Sequence, residues 1–327
     1  MTAWKRQRYL FITLDPVHVG TGGYRLGRVD NSIVREPGTR VPKIPGTSLH
    51  GAARAHAAYL YEIPEAAGQN HDQIAAPDKN PVCYTFGYIG QGKAYSGVVS
   101  IFDAHIVLFP VYSMVGPVWV STVERLAEAG FIVKQDEEEQ KQTPPDLTPE
   151  AALLTLQRRD PLNLGWLMVN VGGQATVEAP EEWQGDRWNA VKDHIALVHE
   201  SLFSHIVNSN LEVRTSVSID PKTGAAEEGA LFTYEAIPRA TFLAADVVLD
   251  DYRANERGWL LETVGKTGKD HDLPGGPWSG PLDVVRAGFG LIEWLGIGGM
   301  GTRGFGRMAV VGKPHEAMYG GVQQASA

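Results

Sequence analysis

Two stretches of this chain hold residues whose types and spacing could do chemistry. The first is N-terminal: Asp15-Pro16-Val17-His18-Val19-Gly20, then Arg28-Val29-Asp30-Asn31, then Arg35, then Lys43-Ile44-Pro45-Gly46-Thr47-Ser48-Leu49-His50-Gly51-Ala52-Ala53-Arg54. Between His18 and His56 lie six cations (Arg25, Arg28, Arg35, Arg40, Lys43, Arg54) and two anions (Asp30, Glu36). That segment is +4 and the remainder of the chain is −13, so a basic face is embedded in an acidic protein. Thr47 and Ser48 can cap a helix there, and a helix start offers N–H groups and a positive dipole end to an anion. Lys43 precedes that start and Arg54 lies within it. Taken singly, His18 reads as a buried hydrogen-bonding residue and Asp30-Asn31 as an ordinary turn; taken together, the residues form a phosphate-binding face.

The second stretch is Gly298-Gly299-Met300-Gly301-Thr302-Arg303-Gly304-Phe305-Gly306-Arg307. Glycines let backbone N–H groups approach a phosphate, and Arg303 and Arg307 add charge. Spacing alone favours a tight helix-to-strand turn with no ligand. The stretch lacks the Gly-Lys-Ser/Thr ending of a nucleotide loop, and it follows its helix where a dinucleotide fingerprint opens one. His194, His199 and His205 lack the i, i+4 spacing of a helical metal pair and read as structural or surface residues. Cys83, the single cysteine, reads as a small buried hydrophobe and excludes an internal disulfide or a cysteine-rich zinc cage.

The elements that must position these groups follow from composition and pattern. The chain has 327 residues, 43% of them hydrophobic, and carries a net charge of −9. That is enough for one elaborated domain or two small ones. No stretch approaches the roughly 20 apolar residues of a membrane span. The basic N-terminus lacks the apolar core of a signal peptide, so a cytoplasmic protein is expected. A net negative charge argues against nucleic acid, but charge at a site is a local property.

Arg8–Leu14 reads as a buried strand, followed by a glycine-punctuated loop and a helix running to about Glu62. A second strand is expected at 98–103, continuing to Phe109. Near the C-terminus, 241–249 reads as a strand. A helix carries Leu282, Val285, Phe289, Ile292 and Leu295, and a final strand covers 308–311. The order β-α-β, insertion, β-α-β is that of an α+β, modified ferredoxin-like (RRM-like) βαββαβ palm. The palm would comprise 1–111 and 241–312, with an insertion at 112–240 and a tail at 313–327. The insertion is expected to hold a polar loop at 134–145, a helical region over 186–203 and a hairpin. Val213–Ile219 forms the first arm of that hairpin, Asp220–Gly224 its turn and Leu231–Ile237 its return. An exposed loop is expected over 265–281.

At this point the sequence resembles a family. Pro16-Val17-His18-Val19-Gly20, the Arg28-Val29-Asp30 and Ile33-Val34-Arg35-Glu36 pair, the Ile44–Arg54 helix start and the C-terminal glycine loop are similar to those of the RAMP superfamily of CRISPR proteins. Asp103-Ala104-His105-Ile106-Val107-Leu108-Phe109-Pro110-Val111-Tyr112-Ser113-Met114-Val115-Gly116 looks like the Cmr-type (type III-B) backbone subunit. Where family members carry Lys after the Ser-Leu pair, His50 stands here.

The resemblance implies a guide (crRNA)-binding subunit stacked with further copies of itself and with other type III effector subunits, and no membrane. A thumb hairpin would splay the bound target RNA, which is then cut. It implies catalytic roles for Asp30, His18, Tyr234 and Glu235. It implies RNA contacts from Arg28, Arg35, Lys43, Ser48, His50, Arg54, Gly299, Gly301, Arg303, Gly304 and Arg307. A divalent metal ion, Mg2+ or Mn2+, would sit at Asp30. RNA brings its own nucleophile, the 2′-OH, and a carboxylate can hold that metal or take the 2′-OH proton; the residues leave both open. They also leave open a purely architectural RNA-binding subunit in which Asp30 shapes a loop.

Overall fold

A computed structural model describes residues 4–22, 29–74, 76–90, 92–135, 147–254, 259 and 278–319. The first apolar run is a ten-residue strand, β1 (Trp4–Thr13), in which Tyr9, Leu10 and Phe11 are fully buried. A short strand β2 (Lys43–Ile44) leads into helix α1 (Gly46–Leu60), which buries Leu49, Ala53, His56 and Ala57. Pro45 occupies its N-cap without a side-chain cap, so Thr47 and Ser48 do not cap it. The Gly46 N–H instead donates to Oδ1 of Asp103 at 2.7 Å. A carboxylate from another segment thus meets both an orphan donor and the positive helix end.

Helix α2 (Pro81–Phe86) follows, capped by the Asn80 side chain, and buries Cys83. Strands β3 (Gly87–Gly90) and β4 (Lys93–Ser96) pair as a small hairpin. The strand expected over 98–109 is two, β5 (Val99–Ile101) and β6 (Ala104–Ser113), because the chain leaves the ladder at Phe102-Asp103, where Asp103 turns to α1. β6 continues through Pro110, which faces Trp119 of β7 (Gly116–Ser121).

The insertion is richer in strands than expected. It runs through α3 (Val123–Ala129), β8 (Ile132–Gln135), β9 (Ala151–Leu154), β10 (Leu162–Leu164) and β11 (Leu167–Glu178). The single helix expected over 186–203 is replaced by a four-residue helix α4 (Asp186–Asn189), a strand β12 (Ile195–Leu197) and helix α5 (Glu200–Ser209). Ile195, Ala196 and Leu197 are fully buried between β7, parallel, and β9, antiparallel. A short apolar run hidden on both faces suits a central strand as well as a helix, and pairing decides. Strands β13 (Glu212–Ile219) and β14 (Ala226–Ala236) form the expected hairpin, a two-stranded sheet of their own. Lys134 and Gln135 of the expected acidic loop belong to β8, and 136–145 lie outside the described residues.

The chain returns through β15 (Phe242–Leu249), α6 (Pro281–Leu295), β16 (Met308–Val310) and β17 (His315–Tyr319). β17 lies in the segment read as a tail; it pairs with residues 4–8 of β1. The loop expected over 265–281 lies outside the described residues up to 277. Trp278, placed in that loop, is buried and stacks on Tyr61 at 5.6 Å.

The result is a mixed α/β fold around one large sheet ordered β10-β11-β9-β12-β7-β6-β15-β1-β16. Its strands β6-β15-β1-β16 are all antiparallel to their neighbours. Alternation along β1 feeds two cores. Tyr9 and Phe11 meet Phe289 of α6 at 5.0 and 5.2 Å, while Leu10 faces the core of Trp183, Trp188 and Leu126. Helices α1 and α6 cross closely, because a Cβ on Gly288 would stand 2.3 Å from the Ala53 carbonyl oxygen.

Candidate functional site

The hairpin base, the loop after β1 and the glycine loop meet at one end of the sheet. Val17 and Ile237 exchange backbone hydrogen bonds at 2.8 and 2.9 Å, which ties the loop to the end of β14. Asn31 adds a parallel bridge to Tyr234. Asp30 is held next to it: its Oδ2 accepts from the Thr233 N–H at 2.7 Å and from the Thr233 hydroxyl at 2.9 Å. The Asp30 N–H donates back to the Thr233 hydroxyl at 3.1 Å. The carboxyl is exposed, and its pKa is held below the ordinary carboxylate value, first by the Thr233 N–H and then by its hydroxyl. Asp30 is therefore an ionised acceptor at neutral pH.

His18 lies against the same strand. Its Nδ1 is 2.6 Å from the Glu235 carbonyl oxygen, which can only accept, so Nδ1 carries the proton and Nε2 is turned toward Gly20. Glu235 itself points back to the loop. It accepts from the Ile33 N–H at 3.2 Å and pairs with Arg35 at 2.8 Å, with side chains only 12% and 13% exposed. Arg35 also donates to Asn208 on α5. This pair braces loop, hairpin and helix together. Tyr234 is buried against Phe305 at 5.3 Å, with its hydroxyl 3.1 Å from Ser216. Arg214 lies over Phe305 at 4.7 Å and Arg303 over Phe232 at 5.6 Å, so cations and rings alternate between hairpin and glycine loop.

The glycine loop packs on His18. Gly298 has φ +82, and a Cβ there would stand 2.4 Å from the His18 carbonyl oxygen, so glycine is required. The Gly299 N–H donates to that carbonyl and the Gly304 N–H to Gly301, so neither points at a ligand. Beside this loop, a cleft of about 380 Å³ is lined by Thr47, Ser48, Gly51, His56, Gly298 and Gly301. It brings Ser48 and Gly301 together at the start of α1.

Other cations read as phosphate contacts are engaged within the chain. Lys43 pairs with Glu36 at 2.9 Å and Asp103 at 2.5 Å. Arg54 donates to the carbonyls of Ala66 and Gly87 and meets His71. Arg307 pairs with Asp15. His50 packs edge-on against Phe86 at 5.1 Å, away from the cleft. Arg25 and Arg28 lie outside the described residues. The sequence reading missed Thr233 and His56. Thr233 had a signal, because alternation places it beside Tyr234 on the opposite face of β14; His56 had none.

An α/β sheet carrying a protruding hairpin, with an ionised carboxylate and a glycine-loop cleft at the hairpin's base, defines the class. The family model of the RAMP superfamily matches residues 10–309, and the chain belongs to that superfamily. It is 26% identical over 267 residues to the CRISPR system Cmr endoribonuclease Cmr4 of Pyrococcus furiosus, covering 78% of this chain and 85% of that protein. The Csm endoribonuclease Csm3 of the Cms system of Enterococcus italicus is 34% identical over 94 residues, 28% of this chain and 41% of that protein. In fold, the chain is similar to a subunit of the type III-B Cmr-beta complex bound to cognate target RNA (TM-score 0.59, 13% identity, 94% and 96% of the two chains). It is also similar to oligomeric Cmr4 from Pyrococcus furiosus (TM-score 0.54, 19% identity, 96% and 99%).

Proposed function

We propose that the chain is a guide-binding backbone subunit of a type III CRISPR effector complex that cleaves bound target RNA. The observation that carries this reading is Asp30: an exposed, ionised carboxylate fixed by Thr233 at the junction of loop and hairpin. The relative matched over most of its length is named an endoribonuclease, which supports the same activity here. The strand order β6-β15-β1-β16 with α1 and α6 supports an RRM-like palm formed by 1–111 and 241–312, from which β13–β14 rises as a thumb. The cleft at Ser48 and Gly301 suits a guide phosphate, with Arg303 at its rim.

RNA cleavage needs the 2′-OH in line with the phosphorus and its leaving oxygen. The hairpin supplies that alignment by splaying the target, and Asp30 faces the splayed nucleotide as acceptor for the 2′-OH proton or as a ligand. Among the described residues no group of three or more His, Cys, Asp and Glu could cage a metal. Mg2+ asks for less, since it is held through one or two carboxylates and keeps several waters. Both side-chain bonds of Asp30 fall on Oδ2, so its carboxylate fits that role for Mg2+ or Mn2+. When bound, such a cation stabilises the charge developing on the phosphate. Further copies of the chain and other effector subunits would complete the assembly.

A second, purely architectural reading is favoured by the internal pairing of Arg35, Glu235, Lys43 and Arg54. Asp30→Asn separates the two. Target binding and assembly should persist while cleavage falls by about 100-fold or more, the scale of a lost acid–base group. A target with a 2′-deoxy substitution at the scissile nucleotide should bind and resist cutting. Undiminished cleavage by Asp30→Asn would leave the architectural reading.

A further inference from the structure

The two faces of the hairpin are not alike. On β14, Phe232 and Tyr234 turn toward the glycine loop, where Tyr234 is buried against Phe305. The opposite face carries Leu231, Thr233 and Glu235, set across the ladder from Val217, Thr215 and Val213 of β13. Thr233 and Glu235 meet the Asp30 loop. One step further out on that face, the cross-strand pair of Leu231 and Val217 is 66% and 43% exposed. Scattered exposed apolar residues are ordinary. A paired aliphatic ridge continuous with a fixed carboxylate is a shaped surface.

We propose that Leu231 and Val217 are the wedge that separates two consecutive target bases at the scissile step, which makes them positioning residues for cleavage at Asp30. The spacing carries the argument. Two residues along a strand advance about 6.6 Å, so the ridge stands that far from the Thr233 that grips Asp30. A base step closes at about 3.4 Å, and one inserted aliphatic side chain opens it to about twice that distance. An aliphatic side chain fits such an opened step as the apolar wedges of other nucleic-acid-binding proteins do, and it offers nothing to a phosphate. Because ridge and clamp share one strand, the element that opens the step also holds the carboxylate beside it. This inference rests on the proposed cleavage of target RNA.

The test uses the guide-loaded complex and a target carrying 2-aminopurine beside the scissile nucleotide. Binding to the unaltered complex should raise the fluorescence as the base unstacks. Leu231→Ala with Val217→Ala should suppress that rise and slow single-turnover cleavage by about 100-fold, the loss expected when reacting atoms are misplaced by roughly an ångström. Target affinity and sedimentation of the complex should not change, and Leu231→Met should restore both signals. Asp30→Asn should keep the fluorescence rise while losing cleavage. A full fluorescence rise with normal cleavage in the double variant overturns the wedge. Loss of assembly in that variant overturns it too, because the ridge would then be covered by a second copy of this chain. Normal cleavage by Asp30→Asn, with the rise still lost in the double variant, would overturn the reading of Asp30 and leave the wedge standing.

Discussion

Asp30 is exposed, yet its position is determined by one neighbour. Thr233 gives it an N–H and a hydroxyl, and takes its N–H in return. Thr233→Val keeps the N–H and the shape but deletes the hydroxyl. Single-turnover cleavage should fall roughly tenfold at unchanged target affinity, a positioning loss rather than a binding loss. Thr233→Ser should recover it, and equal rates for Val and Ser variants would remove the clamp from the mechanism. Resemblance pointed to His18, Asp30, Tyr234 and Glu235, and the structure gathers all four. It also gives Glu235 a different task, since its carboxylate is spent on Arg35 and the Ile33 N–H. Charge counting was less informative. A segment of +4 reads as a phosphate groove, but Lys43 and Arg54 turn inward to a carboxylate pair and to backbone carbonyls. The number of charges in a segment says nothing about where their side chains end.

At the scale of elements, the crossing of α1 and α6 sets the floor of the cleft, and it turns on one residue. A Cβ on Gly288 would stand 2.3 Å from the Ala53 carbonyl oxygen, whereas one on Gly290, two residues along the same helix, meets nothing within 4 Å. Gly→Ala favours a helix by about 1 kcal/mol wherever there is room. Gly290→Ala should therefore raise the denaturant midpoint, and Gly288→Ala should lower it by about 1–3 kcal/mol through overpacking. Equal signs for the two would mean that the helices are not in contact there. Most elements were legible because their hydrophobic period was long: β1, α1, β15 and α6 all lie where the pattern put them. The stretch from 186 to 203 failed because Trp188, Val191, Ile195, Val198 and Leu202 satisfy a helical period, while β7 and β9 offer Ile195–Leu197 a place in the sheet. β17 failed for a related reason, since five half-exposed residues become a strand only because the start of β1 offers them an edge.

For the whole molecule, acidification sets two effects of opposite sign against each other. The chain carries −9 at pH 7, so protonating histidines reduces net repulsion and by itself would stabilise the fold. Two histidines on α1 oppose this. His50 and His56 have their pKa values lowered from 6.5, in both cases chiefly by burial, with Arg54 a further cause at His50. Below pH 6.5 the unfolded chain takes up protons on both residues while the folded chain does not, so stability must fall with pH across the window from 6.5 down to their lowered values. Above that window both forms are neutral and the contribution is constant. The lowered carboxyls of Asp30 and Asp103 add to acid lability only near and below 3.8, outside the window. Burial acts directly on the two rings, whereas repulsion is spread over a surface and screened by salt, so the histidines should win. The melting temperature should hold from pH 8 to 7 and fall from about 6.5 to 5. His50→Gln and His56→Gln should each flatten that fall, because neither replacement titrates there. A melting temperature that rises on acidification at low salt, and loses the rise in high salt, would show that net charge dominates.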